Sequence, residues 1–390
     1  MVCSVSLSSE EGDPRPGAEG ADSAKQFVER LQPIEPLVSE AILQRQLPGA
    51  VVAIGFAGKL QYLKAFGNRQ LQPHIEPMTI DTLFDLASLT KPIVTACGVM
   101  KLLETNEVSL DDAVAKHLPE FAASGKEAIT VKQLLLHTSG LIADNPMSDY
   151  AGDREAILNK IMRLPLSYPT GTRFRYSDVG FIVLGRLIEK KSNLSLQEFS
   201  QEHFFEPLHM TETSYLPPES LWPRTAPTEL RNGAWIKGQV HDPRAFAMGG
   251  MAGHAGLFST ASDLAIFAQM LLDQGSVQGR PILTLESVKS MSASYEVPGG
   301  VRGLGWDKKS AYSANRGTSM SPSAFGHGGF TGTGIWIDPE LKLYVIFLSN
   351  RLHLSGKTEV NRLIGQIGTH AANAARAGLS LPPSASDASL

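Results

Sequence analysis

The chain has 390 residues, 42% hydrophobic and 19% charged, enough to bury a sizeable core and long enough for more than one domain. A formal net charge of −4, with no basic run or basic helix, leaves no footprint for nucleic acid. No apolar stretch nears the length of a membrane span, and two cysteines, Cys3 in a polar tail and Cys97 in an apolar helical stretch, argue against a disulfide framework or a thiol catalyst.

In chain order, residues 1–22 are rich in Ser, Glu, Gly and Pro and are predicted to form a disordered tail. They contain no basic segment followed by an apolar one, so the chain as given is expected in the cytoplasm, or in the periplasm or medium if a leader has been removed. A helix is predicted over "SAKQFVERLQPIEPLVSEAILQRQ", kinked or split by Pro33 and Pro36. "GAVVAIGFAG" and "KLQYLKAFGN" follow as a hairpin around a Gly-Lys turn. After Asp85 the pattern turns helical, through "VKQLLLHTS", "DREAILNKIMRL", "DVGFIVLGRLIEKKS" and "LSLQEFSQEHFFEPL". A hairpin around Asn232-Gly233 and a helix over "STASDLAIFAQMLLDQG" come next, then two strands in "GGFTGTGIWIDPELKLYVIFLSN" and a last amphipathic helix. A second tail is predicted over 377–390. Strands at both ends with helices between, and no regular βαβ alternation, give an α+β expectation. One antiparallel sheet is built from about 23–85 and 225–376, flanked by helices, with a helical region inserted over about 86–224 in a single domain 23–376.

Ser88 and Lys91 in "FDLASLTKPIV" stand three residues apart where an extended segment turns into a helix. Residues i and i+3 share a helix face, so Lys91 Nζ reaches Ser88 Oγ, and the helix N-terminus favours an anion forming there. Pro92 is tolerated only near a first turn, which places the helix start close to Ser88. A lone Ser-x-x-Lys arises by chance about once in a chain this long, so further elements have to decide. "RYSDVGF" carries Tyr176 in a turn before a helix, where the plainer reading is a buried Tyr beside an Asp N-cap. "FGHGGFTG" puts His327, Gly328 and Gly329 at the opening of an apolar strand, where the glycines permit either a bend or close approach of a substrate backbone.

Taken in this order, Ser-x-x-Lys, a Tyr-x-Asn-like turn and a His-x-Gly strand resemble the serine β-lactamases and penicillin-binding proteins. "LLLHTSGL", "PTGTRFRYSD" and "GHAGLFSTASDL" resemble the class C β-lactamase-like branch, which includes DD-peptidases, D-aminopeptidases and family VIII carboxylesterases. The resemblance implies a β-lactamase/DD-peptidase-like fold over about 25–375 and catalysis by Ser88, Lys91 and Tyr176. Ser88 would be the nucleophile of an acyl-enzyme, Lys91 and Tyr176 would share the proton traffic, and the backbone N–H groups of Ser88 and Phe330 would form the oxyanion hole. Asp178, His327, Gly328 and Gly329 fall at substrate-binding positions, and no cofactor or metal is implied.

Two departures bear on the substrate. Asp178 stands where the family has Asn; about 4 Å from Lys91 its charge would favour the ammonium by up to ~4 kcal/mol at an effective dielectric near 20. His327 stands where many β-lactamases have Lys, a fixed cation for the β-lactam carboxylate. The expectation is a serine hydrolase of small esters or D-amino-acid-containing peptides with weak or no β-lactamase activity. A true β-lactamase and a catalytically silent binder of peptidoglycan fragments or β-lactams are the alternatives. For the proton to an amide leaving group, Tyr176 or a charged His327 would serve. His137 is read as the end of a helix capped by Gly140, and His241, Asp242 and His254 as too far apart in sequence for a metal site. The Gly-rich stretch over 295–325 is expected to be a loop bordering the cleft.

Overall fold

The computed structural model describes residues 25–353 and 359–381. The tail expected over 1–22 and most of that over 377–390 lie outside these residues. Residues 25–30 are helical and a second helix, α1, spans Ile34–Leu43, so the chain breaks just before Pro33, and Pro36 is accommodated in the first turn of α1, where its missing N–H costs nothing.

β1 (Gly49–Phe56) and β2 (Lys59–Gln70) form the expected hairpin, with its turn at Ala57-Gly58 rather than Gly-Lys. Both turn residues have positive φ (50° and 83°), as a two-residue hairpin turn matching strand twist requires. β3 (Glu76–Pro77) follows on the edge. The helix after the Ser88 turn ends in α2 (Cys97–Glu104); α3 (Val131–Leu135), α4 (Asp178–Ser192) and α5 (Ala261–Leu272) belong to the layer on the same side of the sheet.

The stretch expected as a loop over 295–325 instead supplies three short strands, β4 (Tyr295–Val297), β5 (Gly300–Arg302) and β6 (Asp307–Lys309). Their few residues alternate weakly and are interrupted by glycines, so periodicity does not reveal them. β7 (Phe325–Gly329), β8 (Thr333–Asp338) and β9 (Leu343–Ser349) complete a nine-stranded antiparallel sheet in the order β4-β5-β6-β7-β8-β9-β1-β2-β3. His327-Gly328-Gly329 thus closes β7 rather than opening a strand. The turn that follows, 330–332, brings the chain back as β8.

N- and C-terminal segments meet where β1 pairs with β9, from Ala50 opposite Ser349 to Phe56 opposite Leu343. β1, β8 and β9 are buried throughout because both faces of the sheet are covered. Alternation sends Val51, Ala53, Ile335 and Ile346 toward the helical layer. Val52, Ile54, Trp336 and Phe347 face α1 and the last helix, α6 (Asn361–Gly378). The architecture is the α+β arrangement of an antiparallel sheet with helices on both faces and a helical segment inserted between its two halves.

Candidate active site

The turn that carries Ser88 is held in a conformation the chain would not adopt alone. Phe84–Asp85 pairs briefly with Phe258–Ser259, and a single 3₁₀ turn, Ala87–Leu89, follows. Ala87 takes φ 47°, a left-handed conformation costly for a residue with a Cβ. Buried Asp85 compensates: its carboxylate accepts the N–H of Ala87 at 2.8 Å and of His241 at 2.6 Å. The Thr90 hydroxyl donates to Ala87 O at 2.7 Å and accepts from Leu257 N at 3.2 Å, fastening the turn to the neighbouring segment. The helix then starts at Lys91 with Pro92 in its first turn, as the sequence requires.

Lys91 is fully buried. Its ammonium donates to Ser88 Oγ at 3.1 Å and to His254 O at 3.1 Å, and pairs with Asp178 Oδ1 at 2.6 Å. Burial pulls the Lys91 pKa down, but the charge of Asp178, with Tyr176 adding to it, outweighs burial and leaves it above its ordinary value. In turn Asp178, which burial would raise, is held below the usual carboxylate range by Lys91 and His254. The resting pair is ammonium and carboxylate.

Asp178 reaches Lys91 because it is not the helix cap. Ser177 caps α4, its hydroxyl accepting from Gly180 N at 3.1 Å and donating to Ile142 O at 2.6 Å, so Asp178 opens the helix with its carboxylate free. Tyr176, two residues before Asp178, is fixed by His137. The His137 carbonyl accepts the N–H of Arg175 at 3.0 Å and its Nδ1 that of Ser177 at 3.1 Å, while the two rings lie 4.5 Å apart. His137, not Gly140, ends α3: it takes φ 58°, and Thr138 N bonds Gln133 O while His137 N bonds Leu134 O, the Schellman pattern. The Tyr176 hydroxyl is buried and faces Ser88 and Lys91. Burial raises its pKa and the Lys91 charge opposes the rise.

The wall opposite is the β7–β8 hairpin. Thr331 Oγ1 donates to Asp85 O at 2.7 Å and Thr333 Oγ1 to Leu86 O at 3.1 Å, tying the hairpin to the Ser88 turn. A Cβ on Gly329 would stand 2.5 Å from Leu86 O, and one on Gly328 2.6 Å from Asn315 Nδ2, so the strand end packs against the Ser88 turn and Asn315 too closely for an added side chain to fit without a shift. His327 is buried with Nδ1 2.7 Å from Gly328 O, so Nδ1 carries the proton and Nε2 is an acceptor. Burial, then the charges of Arg302 and Lys91, push its pKa down to about 3. Both the hydrogen bond and the depressed pKa favour a neutral His327 over a charged one. Phe330, 58% exposed, stands at the rim of a cavity of about 340 Å³ lined also by Ser88, Tyr176, Arg302, Tyr312 and His327.

Sequence reasoning set aside two residues that the fold brings in and passed over a third. Asp242 caps the helix Pro243–Ala247 and accepts His254 Nε2 at 3.0 Å, and the His254 carbonyl receives Lys91. One donor atom each from Asp178, Asp242 and His254 lie within 4.8 Å of one another, so distance in sequence was no guide to distance in space. This is the one group among the described residues with the spacing of metal ligands, and the Lys91 ammonium already supplies its positive charge. The third is Arg302, buried at the end of β5; an Arg inside the Gly-rich stretch was its only signal.

Against this geometry, comparison with known proteins is decisive: residues 22–369 match the Beta-lactamase family. The chain belongs to that family. It is 32% identical over 367 residues to the Escherichia coli (strain K12) protein named "Putative D-alanyl-D-alanine carboxypeptidase", covering 84% of this chain and 83% of that one. It is 28% identical over 370 residues to the "N-acetylmuramyl-L-alanine amidase" of Bacillus subtilis (strain 168), covering 85% and 83%. Two solved structures share the fold. A penicillin-binding protein homologue from Caulobacter crescentus has a TM-score of 0.71 at 23% identity, covering 89% of this chain and 98% of that one. EstCE1, "a hydrolase with promiscuous acyltransferase activity", has 0.70 at 21%, covering 91% and 99%. Family and fold are those of the β-lactamase-related serine hydrolases, with relatives named carboxypeptidase and amidase and a fold neighbour named hydrolase. No helix among the described residues is long and apolar enough to cross a membrane.

Proposed function

We propose that this Beta-lactamase family member hydrolyses small esters or D-amino-acid-containing peptides through an acyl-enzyme on Ser88, with weak or no turnover of β-lactams. The observation that carries the reading is the convergence of Lys91 Nζ, 3.1 Å from Ser88 Oγ, and the Tyr176 hydroxyl beside one open cavity. Ser88 Oγ attacks the substrate carbonyl. Its proton passes to Lys91 as Lys91 hands one to Asp178, because the resting ammonium has no lone pair to offer. Tyr176, beside both Ser88 and Lys91, delivers a proton to the leaving group, a role the neutral His327 cannot fill. The backbone N–H groups of Ser88 and Phe330 face the developing oxyanion, and losing one such donor typically costs on the order of a hundredfold in rate. Water then attacks the acyl carbon and gives its proton to the Tyr176 phenolate, while the proton held by Asp178 returns through Lys91 to Ser88 as it leaves, restoring both groups.

The Lys91–Asp178 pair at 2.6 Å is also what a silent binder would show, since it holds the base in its protonated form. Turnover of p-nitrophenyl butyrate, followed by absorbance, and acylation by benzylpenicillin, followed by intact mass, separate the readings with Ser88→Ala in parallel. Ester turnover abolished in Ser88→Ala, with a slowly released penicilloyl adduct confined to Ser88, is the expected result. Rapid penicillin turnover would favour a true β-lactamase, and neither turnover nor adduct between pH 6 and 9 would favour the silent binder.

A further inference from the structure

Asp85 is 3% exposed, and each of its oxygens is engaged by chain that builds the site. Oδ1 accepts the N–H of Ala87, the residue before Ser88, at 2.8 Å, and Oδ2 accepts that of His241 at 2.6 Å. The Asp85 carbonyl accepts the hydroxyl of Thr331, the residue after Phe330, at 2.7 Å. One buried residue thus grips the neighbour of each backbone N–H that would face the developing oxyanion. Both carboxyl oxygens accept an N–H, which calls for the ionised form; burial raises the Asp85 pKa and these two bonds oppose the rise.

A second path from Asp85 reaches Phe330. His241, held by its N–H, lays its ring against that of Phe330, with centroids 5.7 Å apart and planes 27° from parallel. The segment that carries His241 is itself fastened: Arg231 Nη2 donates to Val240 O and to His241 O, both at 2.9 Å, and His241 Nε2 stands 3.2 Å from Glu229 Oε2. On the Ser88 side the grip falls on the strained point of the turn. The left-handed φ of 47° at Ala87 persists only while its surroundings impose it, so a lost bond there lets the turn relax.

We propose that Asp85 is the positioning residue of the oxyanion hole, fixing the spacing between the Ser88 and Phe330 N–H groups through Ala87, Thr331 and His241. The proposal rests on the acyl-enzyme reading of Ser88. Donors aimed at the place where charge develops act on the transition state, so a change in their spacing should be felt at the reacting carbonyl oxygen.

The test compares p-nitrophenyl butyrate with its thiono ester, in which sulfur replaces only the carbonyl oxygen. Sulfur is larger and a weaker acceptor, so donors spaced for oxygen should make wild type favour the oxygen ester in kcat/KM. Thr331→Val removes the hydroxyl that binds Asp85 O, and Asp85→Asn leaves one side-chain oxygen to accept two N–H groups. In each the oxygen-over-sulfur ratio should fall at least ~10-fold, whereas Thr331→Ser, which keeps the hydroxyl, should stay within about twofold of wild type. In the double variant the two losses should fall short of additive, because both act on one spacing. No oxygen preference in wild type, a rate loss at an unchanged ratio, or an unaffected Thr331→Val overturns the assignment. Should no ester turn over, or Asp85→Asn fail to fold, hydrogen exchange of wild type and Thr331→Val decides. Protection lost in residues 84–90 as well as 326–334 supports the brace; loss confined to 326–334, or no loss, overturns it. Ester turnover with an unmoved ratio therefore sinks only the Asp85 proposal. Coupled loosening of the two segments without any turnover sinks only the Ser88 reading.

Discussion

Replacing Asp178 by Asn removes the group that keeps the proton on Lys91, and stability and rate should respond in separable ways. In the wild type Lys91 is raised above its unfolded value, so its contribution to stability is complete below about pH 10.4 and fades only as pH climbs through the folded value. Asp178 is depressed, so its contribution is complete above about pH 3.9 and fades as pH falls toward its folded value. In Asp178→Asn the largest influence on Lys91, burial, is no longer outweighed. The folded state then sheds the Lys91 proton before the unfolded state does, and stability rises with pH up to about 10. Urea unfolding at pH 6, 8 and 9.5 should show a deficit against wild type of about 3–5 kcal/mol near neutrality, as for a broken buried pair, shrinking as pH rises. A deficit independent of pH would mean that Lys91 stays charged in the variant. In wild type the relay needs only ionised Asp178, held below the carboxylate range. The variant has no acceptor for the Lys91 proton and needs the free amine, so the acid limb of kcat/KM for ester hydrolysis should move to higher pH. A limb that stays in place would exclude Asp178 as the acceptor of the Lys91 proton.

At the scale of elements, the site depends on how closely the β7–β8 hairpin lies against the Ser88 turn. Gly329→Ala would put a Cβ 2.5 Å from Leu86 O and 2.1 Å from Thr333 Oγ1, so the hairpin must move away from the turn that carries Ser88. Overpacking of this kind costs about 1–3 kcal/mol, and a 1 Å displacement near the oxyanion donors about a hundredfold in kcat. Thermal unfolding and ester kinetics on the same preparation should show the rate loss exceeding anything the folded fraction explains; a normal kcat would mean that the hairpin does not set the geometry. How much of this was legible follows from the range of each signal. Ser88 and Lys91 lie one helical turn apart, so local spacing predicted their contact, whereas the family order brought Asp178 near Lys91 without fixing where its carboxylate points. Asp242 and His254 reach Lys91 through a backbone carbonyl and a cap, which no side-chain pattern encodes. Arg302 sits on a three-residue strand too short for alternation to appear, so its stretch looked like a loop. His137 was legible as a helix end but not as the cap itself, because the left-handed position expected of glycine is held here by a ring wedged against Tyr176.

For the molecule as a whole, the sheet separates two cores with different duties. Leu86 and Leu89, flanking Ser88, belong to the core on the helical side, whereas Ile364, Ile367 and Ala371 of α6 pack with Val52, Val345 and Phe347 on the other. Because β1, β8 and β9 send alternate side chains to each, the two cores share a backbone, and the fold stands or falls with both. Ser88 and Tyr176 stand on elements of the first, and α6 reaches the cavity through Asn361 at its N-terminal end. Ile367, fully buried, lies more than a turn beyond the cavity-lining Asn361 on the same helix. Ile367→Ala should therefore cost about 2–5 kcal/mol through lost burial and the cavity left behind. Below the midpoint of unfolding, kcat/KM per folded molecule should stay within about twofold, since core packing is local and no element of the site is displaced. Denaturant titration followed in parallel by intrinsic fluorescence and ester turnover decides: both signals should shift together to lower denaturant and keep the same plateau at zero denaturant. An activity plateau that drops while the fluorescence plateau holds would show that α6 supports the Ser88 side through the sheet, and the outer core would then be part of the positioning frame rather than ballast for the fold.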